Sequence, residues 1–318
     1  ISWGNNTDSS THGGANQIFV GKFEFPKIIF DSDLDGVIEE NDECPETPLN
    51  TLVDQFGCPA DFELINSDLG IGIGASLAIN SLDEVFVSAP FYSAGSLKLL
   101  KLNNSNNVMN WDSEVVIPPT YRQYSHDSSL FIDSNDTPHL AFHMLDNRTM
   151  EYVVLNETVW ESAVIDDEAN SNGFVNIGQQ HDIVVDSEGI PHVIYNKYDD
   201  MTYATLDENG FWIEGYSFED GVGLGKNSLA IDADDNLHII YVIDGGEITY
   251  ATNKNGFWDV NQTLAIQGTS QVGTQISPDD AEAAIAIGED GSVRVSYCLT
   301  QSGTGGIGSL IYSIKENG

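Results

Sequence analysis

The chain has 318 residues, with 11 basic side chains against 50 acidic ones and a formal net charge of −39. A surface that negative excludes nucleic acid and anionic membranes as partners, because like charge repels both. No stretch approaches the ~20 consecutive apolar residues that cross a bilayer as a helix, so no membrane insertion is expected.

The chain opens on Ile1-Ser2-Trp3 rather than on Met, so it is processed or partial. Residues 4–16 (GNNTDSSTHGGAN) are polar and turn-rich and read as a loop or tether. Gln17–Phe30 reads as a strand: Phe23 and Phe25 alternate around Glu24, and Ile28-Ile29-Phe30 resumes after Pro26. Proline cannot donate to a sheet ladder, which places this strand at an edge or a bend.

Residues 31–59, DSDLDGVIEENDECPETPLNTLVDQFGCP, carry the densest motif. Asp31, Asp33 and Asp35 alternate, so their carboxylates converge in a tight loop, and Gly36 permits the sharp turn that follows. Val37 would offer its carbonyl, and Glu39 and Asp42 take the ninth and twelfth positions. This oxygen-rich set suits a hard cation such as Ca2+ and lacks the nitrogen or sulfur expected for zinc. Left empty, the acids would repel one another.

The DxDxDG run, Asn41-Asp42-Glu43-Cys44-Pro45 and Val53-Asp54-Gln55-Phe56-Gly57-Cys58-Pro59 together resemble a thrombospondin type 3 repeat of bacterial surface proteins. The resemblance implies that Asp31, Asp33, Asp35, Glu39 and Asp42 are calcium ligands, Glu39 standing where the family usually has Asp. It also implies a Cys44–Cys58 disulfide and a spacer stiffened by calcium. A disulfide closing so short a loop stabilises by about 3 kcal/mol in the chain-entropy model. It also implies an oxidising compartment, extracellular or at the cell surface. A dockerin fits less well, since it needs two such loops.

From residue 75 onward one pattern recurs. Asn80, Asp133, Asp186, Asp232 and Gly288 each end a short apolar run, at steps of 53, 53, 46 and 56 residues. Six residues after each come Phe86, His139, His192, His238 and Arg294, on a second strand. Trp111, Trp160, Trp212 and Trp258 follow the same markers by 31, 27, 26 and 26 residues and open a fourth strand. Each repeat is therefore a four-stranded antiparallel meander with Asp/Asn/Gly turns.

One such sheet cannot cover both its faces, whereas sheets packed face to face around an axis can. The expected fold is all-β, a five-bladed β-propeller, with a first strand per blade (SLAIN, SLFID, DIVVD, SLAID, AIAIG) that is apolar throughout. The expected divisions are 1–30, an N-terminal strand plus tether; 31–60, the calcium linker; and 61–318, the propeller.

The fifth repeat lacks its tryptophan. Lys315-Glu316-Asn317-Gly318 followed by Ile1-Ser2-Trp3 matches Asp207-Glu208-Asn209-Gly210-Phe211-Trp212. The N-terminal strand is thus expected to complete the last blade, either of its own chain or of a neighbouring copy joined head to tail.

Several residue sets invite chemistry. His139, His192 and His238 share one blade position, but sheets pack roughly 10 Å apart, too far to share one zinc, whose bonds to nitrogen are about 2 Å. They are expected to bond a neighbouring turn instead. His126, His143 and His181 have no common register. Gly70-Ile71-Gly72-Ile73-Gly74 leads into a strand, not the helix N-terminus a phosphate cradle needs. Cys298, on a second strand, reads as a small buried residue. Sequons at Asn5, Asn103, Asn135, Asn147, Asn156 and Asn261 are candidate glycosylation sites. No nucleophile elbow, zinc-protease motif or sialidase aspartate box is present.

The leading functional expectation is a non-enzymatic extracellular structural protein, a calcium-stabilised subunit of a filament or surface array whose partners are copies of itself. The alternative is a glycan-binding, lectin-like propeller, with Tyr195, Tyr241 and Tyr297, nine residues after their markers, as pocket aromatics. A propeller glycosidase is third.

Overall fold

The computed structural model describes Cys44 and residues 74–91, 96–105, 108–118, 124–144, 148–167, 177–197, 200–218, 227–243, 247–265, 283–288, 290–300 and 308–315. The chain divides into two compact units, Ile1–Gly72 with Asn104–Met109, and Ile73–Asn103 with Asn110–Gly318. No helix among the described residues is long and apolar enough to cross a membrane.

The second unit is built of antiparallel sheets in sequence order. The first sheet holds β1 (Ser76–Ile79), β2 (Val85–Phe91), β3 (Ser96–Ser105) and β4 (Val108–Ile117). The second holds β5 (Tyr124–Ile132), β6 (Pro138–Met144), β7 (Thr149–Asn156) and β8 (Val159–Asp166). The third holds β9 (Ile177–Val185), β10 (Pro191–Lys197), β11 (Asp200–Leu206) and β12 (Trp212–Phe218). The fourth holds β13 (Ser228–Ile231), β14 (Leu237–Ile243), β15 (Glu247–Thr252) and β16 (Asp259–Ala265). The fifth has three strands among the described residues, β17 (Ala283–Ile287), β18 (Val293–Thr300) and β19 (Gly308–Lys315).

The marker residues recur because they make one turn five times. Asn80, Asp133, Asp186, Asp232 and Gly288 each donate their N–H to the carbonyl four residues on, at 2.9–3.1 Å. In the first four, the side-chain Oδ1 also accepts the amides two and four residues on, at 2.8–3.0 Å. The fourth turn residue is left-handed: Asp83, Asp136, Gly189, Asp235 and Gly291 have φ of 60°, 62°, 83°, 61° and 74°. Asp and Gly tolerate that region best, which is why the turns are written in these residues.

The sheets pack in series through their first strands, β1 on β5, β5 on β9, β9 on β13 and β13 on β17. Four apolar clusters fill the four junctions. Phe86 and Leu97 meet Leu130 and Phe142; Met150 and Tyr152 meet Ile183 and Tyr195. Tyr203 and Phe218 meet Leu229 and Tyr241; Ile240 and Val242 meet Ile285 and Val295. The inner sheets are therefore covered on both faces, while the outermost strands β8 and β12 are largely exposed. At the ends of the series apolar side chains remain open: Leu77 and Ile79 on β1, Tyr312 and Ile314 on β19.

The first strands differ from expectation in two ways. β5 and β9 begin well before the apolar run, at Tyr124 and Ile177. In the first four sheets the run also starts on a polar tie to the next sheet rather than being apolar throughout. Ser76 Oγ accepts Leu130 N at 3.1 Å, Asp182 Oδ2 accepts Leu229 N at 2.8 Å, and Ser228 Oγ accepts Ile285 N at 3.4 Å. Ser129 Oγ donates to the His181 carbonyl at 2.8 Å. Four residues before each marker, a short polar group satisfies backbone that the neighbouring sheet would otherwise bury. The fifth sheet has Ala284 there.

Candidate functional site: polar groups at the sheet junctions

Two of the three histidines at the shared position, His192 and His238, hydrogen-bond their own turns, and His139 faces its turn at longer range without a well-formed bond. Nε2 of His139, His192 and His238 lies 3.4, 3.2 and 3.3 Å from Oδ2 of Asp133, Asp186 and Asp232. On the other side, Nδ1 meets the hydroxyls of Tyr152, Tyr203 and Tyr250 at 2.6, 2.7 and 2.6 Å. The tautomer that satisfies both contacts carries its proton on Nε2 and accepts the tyrosine O–H at Nδ1. Burial lowers the pKa of His139 and His192, opposed by the neighbouring carboxylates, and raises that of Tyr203 to about 12. The lowered pKa values keep His139 and His192 neutral at the imidazole near pH 7, and the chain is closed by hydrogen bonds at both ring nitrogens of His192 and His238. Tyr152 then packs edge-on against Trp212 of the next sheet, and Tyr203 against Trp258, both with ring centroids 5.3 Å apart. Trp212 and Trp258 are seats for the preceding sheet's tyrosine.

A second polar row crosses the junctions themselves. At the last three junctions the residue ten after one marker lies beside the residue five before the next. At the junction of the third and fourth sheets these are Asn196 and Asn227, with Nδ2 of Asn227 donating to Oδ1 of Asn196 at 2.9 Å. Between the fourth and fifth sheets they are Val242 and Ala283, both buried in one apolar cluster. Between the second and third they are His143 and His181, 2% and 5% exposed. Neither ring nitrogen of His143 has a hydrogen-bond partner. Burial, with the His181 imidazole nearby, holds the His143 pKa down to about 4. His181 is presented by a bulge: the β9–β10 register shifts between Ile194 and Asn196, and Gln180 has φ 54°.

Other polar groups gather at the same junction. Tyr195 donates its hydroxyl to Asp166 Oδ2 at 2.8 Å, Lys197 Nζ lies 3.0 Å from the same oxygen, and Lys197 also pairs with Glu214. Asp166 is almost fully enclosed, so its charge is spent on Lys197 and Tyr195 and is not available as a free base. Asp182, an acid on a first strand, is likewise committed, its Oδ2 to Ser228 and Leu229 and its Oδ1 to Ile183. The described residues contain no group of three His, Cys, Asp or Glu side chains able to hold a metal.

Tyr195, Tyr241 and Tyr297, the aromatics expected to line pockets, are 0%, 5% and 8% exposed and belong to the core. Among the described residues the most exposed aromatics are Phe211 and Phe257, 69% and 66%, each directly before a junction tryptophan; Tyr312 and Tyr216 are exposed as well. The calcium loop, Asp31, Asp33, Asp35, Val37, Glu39 and Asp42, lies outside the described residues. Cys44 is disulfide-bonded, and Cys58, the partner expected for it, lies outside them too. Ile1–Trp3, Gln17–Phe30, Asn5 and Asn147 also lie outside. Asn135 and Asn156 are exposed; Asn103 and Asn261 fall on strands.

No family model matches the chain. Outer membrane porin F of Pseudomonas aeruginosa is 49% identical over 44 residues, 14% of this chain and 13% of the porin. The chain therefore spans only a small part of that relative. Among solved structures, a triple arginine mutant of AofleA from Arthrobotrys oligospora aligns with TM-score 0.57 and 11% identity, over 81% of this chain and 73% of that one. SapL1 lectin in complex with alpha methyl fucoside aligns with TM-score 0.51 and 11% identity, over 78% of this chain and 84% of that one. At such identities the likeness is one of fold: four-stranded antiparallel sheets in propeller-like array.

Proposed function

We propose that this chain is a non-enzymatic, glycan-binding propeller of five blades that works outside the cell. The fold it shares with a fucoside-bound lectin supports that reading over a purely structural subunit. On the molecule, the reading is carried by Phe211 and Phe257, which recur at one position and hold large apolar rings in solvent. An exposed aromatic face is the surface on which the apolar face of a pyranose stacks, and two such rings at equivalent positions make a multivalent ligand profitable. The buried carboxylates are engaged in ion pairs and turns, which leaves none of the described ones placed as a catalytic pair. Glycan-array screening of the full chain, followed by calorimetry with alpha methyl fucoside and the best array hit, tests the reading. Binding should weaken at least fivefold in F211A/F257A. An array without a hit removes the reading.

The linker is part of the same proposal. Asp31, Asp33, Asp35, Glu39 and Asp42 with the Val37 carbonyl would hold Ca2+, and a Cys44–Cys58 disulfide would close the module, in keeping with an extracellular or surface location. Chelation should then expose residues 31–60 to protease while the sheets stay resistant. Unchanged cleavage there with and without Ca2+ would refute it.

A further inference from the structure

One charged pair at the junction of the second and third sheets stands where the other sheets carry apolar residues. Lys197 lies eleven residues after its marker; at that spacing the other four sheets have Phe91, Met144, Ile243 and Leu299. Asp166 lies opposite Met150 on β7, whereas Phe218 lies opposite Met201 on β11 and Ala265 opposite Ile248 on β15. At the next junction Tyr241 packs on the Phe218 ring, centroids 5.7 Å apart. Here Tyr195, at the position of Tyr241, gives its hydroxyl to Asp166 Oδ2 at 2.8 Å instead. Lysine and aspartate have thus replaced apolar residues on neighbouring sheets together. Their side chains are 8% and 2% exposed, and Lys197 Nζ lies 3.0 Å from Asp166 Oδ2. Taking two charges out of water is costly, and apolar side chains of similar volume commonly do as well or better. Packing alone gives no reason for the exchange.

The pair is also placed for a reaction. An amine held against a carboxyl group can condense with it to an amide, because well-oriented groups reach effective concentrations of about 10⁵–10⁸ M. The product removes both charges from a place that penalises them. Two further groups touch the reacting ones. Glu214 on β12 pairs with the same Lys197 Nζ, and its side chain is half open to solvent. A carboxylate there can take a proton from the ammonium and hand it on to the departing oxygen. The Tyr195 O–H, seated on Asp166 Oδ2, steadies the negative charge that develops on that oxygen during attack.

We propose that Lys197 and Asp166 join in a self-formed isopeptide bond, with Glu214 as the proton carrier. Glu214 carries two protons in turn from Lys197 Nζ to Asp166 Oδ1. The first transfer leaves a neutral amine and a neutral acid. Nζ then bonds to Cγ, and the second proton departs with Oδ1 as water when the Cγ–Oδ1 bond breaks. Oδ2 remains as the amide carbonyl under the Tyr195 hydroxyl, and Glu214 ends unchanged. The step consumes no oxidant and no co-reactant, and the water leaves past the open side of Glu214. The bond staples the end of β8 to the end of β10, so the second and third sheets cannot part.

The test weighs the full chain intact by mass spectrometry, reduced and denatured, after expression in a host that adds no glycans. The wild type should be lighter than its sequence by one water, and digestion should release a branched peptide joining the segments that hold residues 166 and 197. Lys197→Met, which copies Met144 of the second sheet, should show its full sequence mass. Glu214→Gln keeps both partners and should lower the cross-linked fraction at least tenfold at equal incubation. It also serves as the control should Lys197→Met fail to fold. A wild type at its full sequence mass overturns the proposal and leaves a plain ion pair. A water loss that persists in Lys197→Met overturns it as well, since cyclisation at an Asp-Gly step such as Asp290-Gly291 would account for it. Equal cross-linking in Glu214→Gln overturns the step as written.

Discussion

The three middle sheets and the two end sheets solve the same packing problem with different chemistry. The middle sheets carry Asp–His–Tyr, in the order Asp133–His139–Tyr152, Asp186–His192–Tyr203 and Asp232–His238–Tyr250. By strand register the first sheet has Asn80, Phe86 and Leu99 at these positions, and the fifth has Gly288, Arg294 and Tyr312. The first sheet keeps the ring but loses the hydrogen bonds, and Lys101 crosses the Phe86 face at 5.4 Å on its way to Glu84. In the fifth, Arg294 turns back toward Asp290 and fills the space beside Gly288, where an added Cβ would come within 2.7 Å of the guanidinium. Tyr312 is 61% exposed there, against 8% for Tyr152 and Tyr203. Strand pairing therefore does not require the polar chain. In the second and third sheets the chain stands a tyrosine under the tryptophan of the following sheet with its hydroxyl satisfied, and the fourth keeps the same chain with no tryptophan among the described residues of the fifth.

Acid should break this contrast most strongly, because the buried histidines described lie in the middle sheets. His143, His139 and His192 have folded pKa values below the ordinary 6.5, so the unfolded chain binds protons that the folded chain refuses. The stability they confer is complete above pH 6.5 and is lost as the pH falls from there toward about 4 for His143. That one group accounts for about 3 kcal/mol across the window. Asp133 and Asp232 act lower. Burial pushes each up, but hydrogen bonds from Thr137 and Asn135 in one case and Asn236 in the other hold each below its ordinary value, so their contribution disappears only as the pH falls through their folded pKa. Denaturant titrations from pH 7.5 to 3 should show loss in two stages, and hydrogen exchange at pH 5 should rise in β6 and β9 before β1 or β17. A stability that stays flat from pH 7 to 4.5 would contradict the neutral, buried assignment.

The sequence alone carries the repeat, the turn chemistry and the antiparallel meanders because these are local. Asp133 and Asp186 mark their turns through bonds to amides two and four residues away, so a fixed spacing records them. What lies between sheets is recorded poorly. Tyr152, Tyr203, Tyr250 and Tyr312 are one structural position, yet they follow their markers by 19, 17, 18 and 24 residues, because the hairpins before them differ in length. His143 and His181 belong to different repeats, and only the packing of β6 against β9 makes them neighbours. The tyrosines nine residues after the markers looked like pocket walls because a pattern of spacing does not say which side of a sheet is covered. Tyr195 is fully buried, and the most exposed rings among the described residues are the phenylalanines beside the tryptophans.

The finest test of the contrast between sheets is to convert one middle sheet into the kind found first in the chain. His192→Phe alone keeps ring volume beside Tyr203 but removes the acceptor of its O–H and one contact of Asp186. Leaving the O–H without its acceptor in so enclosed a place, with Thr205 still bonded to the oxygen, should cost about 1–3 kcal/mol. His192→Phe with Tyr203→Phe removes both ends of the hydrogen bond and leaves an apolar pair like Phe86 with Leu99, while Trp258 still finds an aromatic face. Replacing both partners together is close to neutral when shape is kept, so the double variant should recover more than half of the single variant's loss in urea unfolding. The remainder measures what the Asp186 contact contributes once its imidazole is gone. Additive losses would mean that the histidine and tyrosine act separately, and the resemblance between the first sheet and its neighbours would then be one of shape without shared energetics.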